Sequence, residues 1–326
     1  MNTALKLAAK DFATPQEVRW CPGCGNYSII KAVQKTLADL AADPSNTVFV
    51  SGIGCSSRFP YYMETYGFHT IHGRAAAVAT GVKLANPALD VWVVSGDGDS
   101  LAIGGNHLLH LLRRNVDLTY LLLNNEIYGL TKGQFSPTSR VGTHSPSSPH
   151  GTVDEPVHPV KFALGAGGRF VARVVDTNQA LMLETLKRAH GFAGTGFVEV
   201  LQNCLVFNDG AFAEVAEKKL AEDHVVALKH GEPMLYGAGK KKGLRLDVKT
   251  LTIEPVVIGE NGVTIDDILV HDETSRGMAH LLAEIPFPGA PLPIGVIYNA
   301  DGASFTERLP PIEHDRAELA RRIEKA

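Results

Sequence analysis

The sequence predicts an α/β protein: a parallel sheet flanked by helices, followed by a C-terminal extension. Two observations carry that prediction. Short β-branched and aromatic runs alternate with helix-length amphipathic segments through the first two hundred residues, as βαβ units require. The connections after those runs, "GIGCSSR", "GDGDS" and "NNEIYGLTKGQ", are rich in glycine, serine and asparagine. In an open parallel sheet the loops at the carboxyl ends of strands line the ligand crevice, so these three are expected to converge although they lie far apart in the chain.

The elements follow in order. The segment "NYSIIKAVQKTLADL" offers Asn26 as an N-cap and apolar residues at Ile29, Ile30, Val33 and Leu37, which predicts the first helix. Strands are predicted at residues 47–51, 91–95, 118–123, 170–175 and 197–201. Helices fall between them at 74–84, 102–114 and 179–190. Residues 1–205 are read as the main domain and 206–326 as an extension or lid, with "GKKKG" at 239–243 as a solvated loop. The His-, Ser- and Pro-rich stretch 143–159 is expected to be a long ordered loop.

Composition sets outer bounds. With 326 residues, 44% of them hydrophobic, the chain can bury one large core plus a smaller appendage. A net charge of -4 gives no electrostatic footprint for nucleic acid. The longest apolar runs, such as "LTYLLL", are of strand length, so no membrane span is expected. Lys6, Lys10, Asp11 and Glu17 interrupt the N-terminal segment where a secretory signal needs an apolar core, which predicts a cytoplasmic protein. Disulfides are disfavoured there.

Two constellations carry chemistry. The first pairs "SGDGDS" at residues 95–100 with "NNEIYG" at 124–129. Gly96 and Gly98 flank Asp97, a carboxylate on a tightly turning backbone at a strand end, and Asn125 supplies a neutral oxygen at the end of the next strand. Magnesium takes near-octahedral oxygen ligands and commonly combines one or two protein groups with phosphate oxygens, so the pair describes a magnesium-diphosphate site. The spacing resembles the binding motif of thiamine diphosphate enzymes.

The second constellation is the cysteine set: Cys21 and Cys24 in "WCPGCGN", Cys55 in "GIGCSSR", and Cys204 after "FVEVLQN". Each stands where the chain enters or leaves the sheet, so all four can meet at one edge. Four thiolates suit zinc or a [4Fe-4S] cluster, and spacing does not choose between them. A redox dithiol needs only Cys21 and Cys24, and unrelated buried cysteines are the plain alternative.

Taken together, "WCPGCGN", "GIGCSSR", "HGRAAAVATGVKLANP", "GDGDSLAIGGNH" and "NNEIYGLTKGQFSPTS" resemble the beta subunit of the 2-oxoacid:ferredoxin oxidoreductases, most of all those acting on 2-oxoglutarate. The resemblance is dense from Trp20 to Ser139, resumes at Cys204, and is weakest in the last third. It implies the thiamine-diphosphate-binding fold and oxidative decarboxylation of a 2-oxoacid to its acyl-CoA and CO2. Electrons would pass singly through one [4Fe-4S] cluster to ferredoxin.

By the same resemblance, Cys21, Cys24, Cys55 and Cys204 hold the cluster, while Asp97, Asn125 and the carbonyl of Ile127 hold Mg2+. Thr131 and Gly133 belong to a diphosphate cradle, and Cys55, Ser56, His72 and Gly73 lie close to the thiamine rings. Arg58 faces the 2-oxoacid, where a guanidinium pairs a carboxylate through two hydrogen bonds. The glutamate that handles the aminopyrimidine proton belongs to an alpha subunit, so the chain is expected to be active only in a heteromer with that partner. Pyruvate or a branched-chain 2-oxoacid is the alternative substrate. A non-oxidative thiamine enzyme with structural zinc and a non-catalytic assembly module are the alternative functions.

Overall fold

β-branched and aromatic side chains fit the pleated, buried surface of a sheet, and the runs that carry them here fold as strands. The structure, a computed structural model, describes residues 7–309. Its strands are β1 (Thr47–Ser51), β2 (Tyr66–His69), β3 (Asp90–Gly96), β4 (Leu118–Asn124), β5 (Ile127–Tyr128), β6 (Gln134–Phe135), β7 (Phe170–Val175), β8 (Thr195–Leu201), β9 (Val225–Ala227), β10 (Leu235–Tyr236), β11 (Lys242–Asp247), β12 (Thr252–Val257) and β13 (Leu292–Asn299). Eight of them form one sheet in the order β2-β1-β3-β4-β8-β7-β13-β9. The first six run parallel, as the expected fold class requires; β13 lies antiparallel to β7 and parallel to β9.

The helices before β8 are α1 (Asn26–Asp39), α2 (Phe59–Tyr62), α3 (Ala75–Ala85), α4 (Asp97–Leu101), α5 (Gly105–Arg114), α6 (Pro159–Gly165) and α7 (Gln179–His190). Successive side chains of a strand point to opposite faces, and both faces of this sheet are covered. Val48, Val50, Val91, Val93 and Leu122 pack with Ala76 and Ala79 of α3 and with Leu108 and Leu112 of α5. Phe49, Trp92, Val94 and Leu121 pack on the other face with Ile29 and Val33 of α1 and Met182 and Leu186 of α7.

From β1 the chain moves outward to β2, then α3 carries it back across to β3. That reversal opens a crevice at the carboxyl ends of β1 and β3, the place where open α/β sheets bind ligands.

Some expectations need correction. Asn26 does not cap α1 from outside: it begins the helix, Gly25 holds the cap position, and no side chain caps it. The helix expected at 102–114 starts three residues late, as α5 at Gly105, and a separate short helix, α4, precedes it; between them a side chain on Gly104 would strike the Asp99 carbonyl at 2.3 Å. Beyond Cys204 the chain builds the three-stranded sheet β10-β11-β12 and then returns to supply β9 and β13 to the main sheet. "GKKKG" spans a 3-10 turn and the start of β11, and its lysines 240 and 241 are exposed. The last part of the extension, residues 310–326, and residues 1–6 lie outside the described residues. Among the described residues no helix is long and apolar enough to cross a membrane.

Candidate functional site

β3 ends in Gly96, and Asp97 opens α4 on the wall of a cleft of about 310 Å3 at the switch point. The cleft is lined from three connections: Gly54, Cys55 and Ser56 after β1, Gly96 to Asp99 after β3, and Asn125 with Ile127 to Thr131 after β4. The three glycine-, serine- and asparagine-rich loops thus converge as expected. His72, reached from β2, completes the rim.

Asp97 is only 2% exposed. Its Oδ2 accepts hydrogen bonds from Ser136 Oγ and Thr138 Oγ1, both at 2.6 Å. Burial raises the carboxyl pKa, and the two hydroxyls and helix-start N–H groups oppose that rise. No Lys or Arg pairs with it among the described residues. A buried carboxylate held by hydroxyls, without a protein cation, is suited to a metal ion.

The loop after β4 separates its side chains by direction. Asn124 donates through Nδ2 to Glu199 Oε1 at 2.9 Å and accepts from Thr138 Oγ1 at 3.1 Å, so the first asparagine is tied into the protein. Asn125 lines the cleft, its Oδ1 accepting from the Ile127 N–H at 3.2 Å and its carbonyl from Asn208 Nδ2 at 2.9 Å. Glu126, at φ 56°, turns away into a second cavity and meets Arg140 at 3.1 Å. Burial outweighs that partner and pushes the Glu126 carboxyl up to about 7. Among the described residues no glutamate lines the cleft itself.

Three connections bring the cysteines together. Trp20, buried among Tyr27, Phe59 and Tyr62, donates its indole N–H to the Cys55 carbonyl at 2.8 Å, pinning the Cys21–Cys24 turn to the loop after β1. The N–H of Gly25 reaches the Asn203 carbonyl, beside Cys204, at 3.5 Å. All four thiols are free, Cys21 is exposed, and the others are half-buried. Burial pushes the Cys55 thiol up to about 11, helped by Cys24, Cys204 and Cys21 and opposed by Arg58. Cys24 is raised by burial first and by Cys204 and Cys21 as well, against an N–H from Asn26. A side chain on Gly129 would lie 3.3 Å from Cys204 Sγ and 4.0 Å from Cys55 Sγ, so this glycine packs against both sulfurs on the wall of the cleft that it and Cys55 line.

Of the residues singled out in the sequence, Cys55, Ser56, His72, Gly96, Asp97, Gly98, Asn125, Ile127 and Thr131 line one cleft. Arg58 does not; its charge stands beside Cys55. Gly73 meets the site through its N–H, which donates to Asp99 Oδ1 at 2.7 Å. Gly133, at φ 92°, closes the β5–β6 turn with its Cα toward Phe207, and the Thr131 hydroxyl bonds to Gln134. Sequence reasoning passed over Ser136, Thr138, Asp99 and Glu199. Glu199 alone left a local mark, as an acid inside the apolar run "FVEVL"; in the structure it pairs with Arg173 at 2.7 Å, both buried.

Residues 52–200 match the family described as thiamine pyrophosphate enzyme, C-terminal TPP binding domain. The chain is 52% identical to the 2-oxoglutarate oxidoreductase subunit KorB of Mycobacterium tuberculosis over 84% of this chain and 72% of that protein. It is 35% identical to 2-oxoacid:ferredoxin oxidoreductase 2, subunit beta, of Aeropyrum pernix, over 92% of this chain and 86% of the relative. Among solved structures, a 2-oxoglutarate:ferredoxin oxidoreductase from Magnetococcus marinus, with 2-oxoglutarate, coenzyme A and succinyl-CoA bound, superposes with a TM-score of 0.76 at 32% identity, covering 98% of this chain and 97% of that one. With a thiamine-binding fold, a cleft at its switch point and relatives of this length and identity, the chain belongs to the beta subunits of the 2-oxoacid:ferredoxin oxidoreductases.

Proposed function

We propose that this beta subunit, with its alpha partner, oxidatively decarboxylates 2-oxoglutarate to succinyl-CoA and CO2 and passes the electrons singly through a [4Fe-4S] cluster to ferredoxin. One observation carries the reading: Cys55 lines the cleft and shares Gly129 with Cys204, so a cofactor site and a converging set of four thiols have a common wall. The names of the relatives favour 2-oxoglutarate over pyruvate or a branched-chain acid. Four unpaired cysteines suit a reducing, cytoplasmic setting.

Thiamine diphosphate, when bound, supplies the electron sink for loss of the carboxyl group, and the cluster supplies a one-electron acceptor. The chain's own residues do the rest. Asp97, Asn125 and the Ile127 carbonyl hold Mg2+, with Ser136 and Thr138 fixing the carboxylate that binds it. Gly96, Gly98 and Thr131 line the part of the cleft that would take the diphosphate, Gly133 shapes the loop that carries Thr131, and Ser56, His72 and Gly73 stand at the ring end. Arg58, charged and beside Cys55, faces the carboxylate of the 2-oxoacid.

Cys21, Cys24, Cys55 and Cys204 hold the cluster. The naming of the relatives as ferredoxin oxidoreductases favours a cluster over structural zinc at these thiols. A cleft lined by Asp97 and Asp99 but by no glutamate among the described residues supports a partner that brings one. Ile71, Ile103 and Leu130, each at least half exposed at the rim, support a partner docking there.

The test is a substrate panel on the reconstituted alpha-beta pair with ferredoxin reduction as readout. Reduction driven by 2-oxoglutarate and coenzyme A, and none by the isolated chain, is the expected result. A colourless preparation with stoichiometric zinc, or full turnover without the partner, would sink the reading.

A further inference from the structure

Asp99 has no role in the function proposed above, yet it is among the most tightly held side chains in the site. It is 2% exposed, and its carboxylate takes three hydrogen bonds. Oδ1 accepts from His72 Nδ1 at 2.9 Å and from the Gly73 N–H at 2.7 Å; Oδ2 accepts from Ser95 Oγ at 2.6 Å. The carboxylate fits only because residue 52 is glycine, where a Cβ would lie 1.7 Å from Oδ2.

A carboxylate accepts and does not donate, so Nδ1 of His72 carries a proton, and in the neutral imidazole Nε2 keeps a lone pair. His72 lines the cleft with its side chain 41% exposed, set edge-on to the Tyr128 ring at 6.0 Å. The Tyr128 hydroxyl is itself fixed, donating to the Gly98 carbonyl at 2.8 Å. No second side-chain hydrogen bond engages the imidazole among the described residues.

We propose that Asp99 is the positioning residue for His72: it holds Nδ1–H and so presents Nε2 to the cleft as the acceptor for a hydroxyl, amine or thiol proton. A proton that moves there leaves the donor heteroatom, joins the Nε2 lone pair, and the imidazolium stays paired with the buried carboxylate. The kinetic part of the test rests on the function proposed above; the labelling part does not.

The experiment uses the alpha-beta complex with Asp99→Asn, His72→Gln and the double variant. Asp99→Asn is expected to lower kcat about a hundredfold while KM and thiamine diphosphate affinity stay within about threefold. Because Asp99 acts through His72, the double variant is expected to be no slower than His72→Gln alone. Diethyl pyrocarbonate labelling of His72, followed by mass spectrometry in the cofactor-free complex, is expected to slow severalfold in Asp99→Asn. Losses that multiply, a change confined to KM, unchanged labelling, or loss of cofactor binding in Asp99→Asn would each overturn the proposal. A wild-type complex inactive towards every 2-oxoacid would instead defeat the functional reading, and the labelling rates would still decide the Asp99–His72 coupling.

Discussion

Two cavities flank the carboxyl end of β4, and they treat their acids in opposite ways. In the cleft, Asp97 is buried with hydroxyls for company and Asn125 offers a neutral oxygen. In the second cavity, Glu126 meets Arg140, Glu199 meets Arg173, and Glu284 meets Lys161 at 2.7 Å. Three successive residues, Asn124 to Glu126, supply side chains to both. The difference teaches what to weigh when two sites are both polar: the acids of the second cavity already have protein cations, whereas Asp97 has none, which is the condition its proposed role as a magnesium ligand requires.

The largest effects should separate the cleft from the cysteines. Cys55→Ser is expected to strip or destabilise the cluster, seen as loss of the broad absorption near 400 nm expected of it; an unchanged spectrum would remove Cys55 from the ligand set. Asp97→Ala is expected to weaken magnesium-dependent thiamine diphosphate binding by more than about 100-fold, beyond what an outer partner costs, while the visible spectrum persists. Calorimetric titration that finds binding retained would refute the magnesium assignment.

The second cavity should answer in stability instead. Glu199→Ala leaves the Arg173 guanidinium buried and unpaired, and is expected to cost about 3–5 kcal/mol in denaturant unfolding. If that variant unfolds normally but loses cofactor, the contrast between the cavities collapses. Thr138→Ala touches the boundary, since its hydroxyl serves both Asp97 and Asn124. It should weaken cofactor binding about 10- to 100-fold, with little change in unfolding free energy.

The smallest effect lies outside both cavities. His190 Nε2 stands 3.2 Å from Asp90 Oδ2 at the start of β3, and that hydrogen bond raises the imidazole pKa. A folded pKa above the unfolded value means the contribution is complete below about pH 6.5 and is lost as pH rises through the raised pKa. It should amount to about 1 kcal/mol or less. Asp90→Asn should erase that slope in unfolding free energy; a slope that survives assigns it elsewhere.

What was legible in the sequence is what is local. β7 and α7 match the expected 170–175 and 179–190 residue for residue, because strand chemistry and an Asn178 cap that accepts from the Leu181 N–H both lie in short windows. Asp97, Asn125 and the cysteines were legible because their residue types are chemically expensive to place without a purpose. β13 was not: Pro293 interrupts "LPIGVIYN", and the strand forms because β7 and β9 offer it edges from more than a hundred and about seventy residues away. Ser136 and Thr138 were hidden for the same reason. Their partner Asp97 is 39 and 41 residues distant, and hydroxyls in a turn carry no sign of which carboxylate they will meet.

Gly129 draws these regions into one. It lies against the sulfurs of Cys204 and Cys55 and, beside Cys55, lines the cleft, so under the proposed assignment the two cofactors would share a wall of backbone and one cysteine. Tunnelling falls off steeply with distance, and a separation set by backbone rather than by side-chain rotamers varies little from one thermal fluctuation to the next. Under that assignment the transfer step would depend on the driving force between donor and acceptor more than on the motions of the chain.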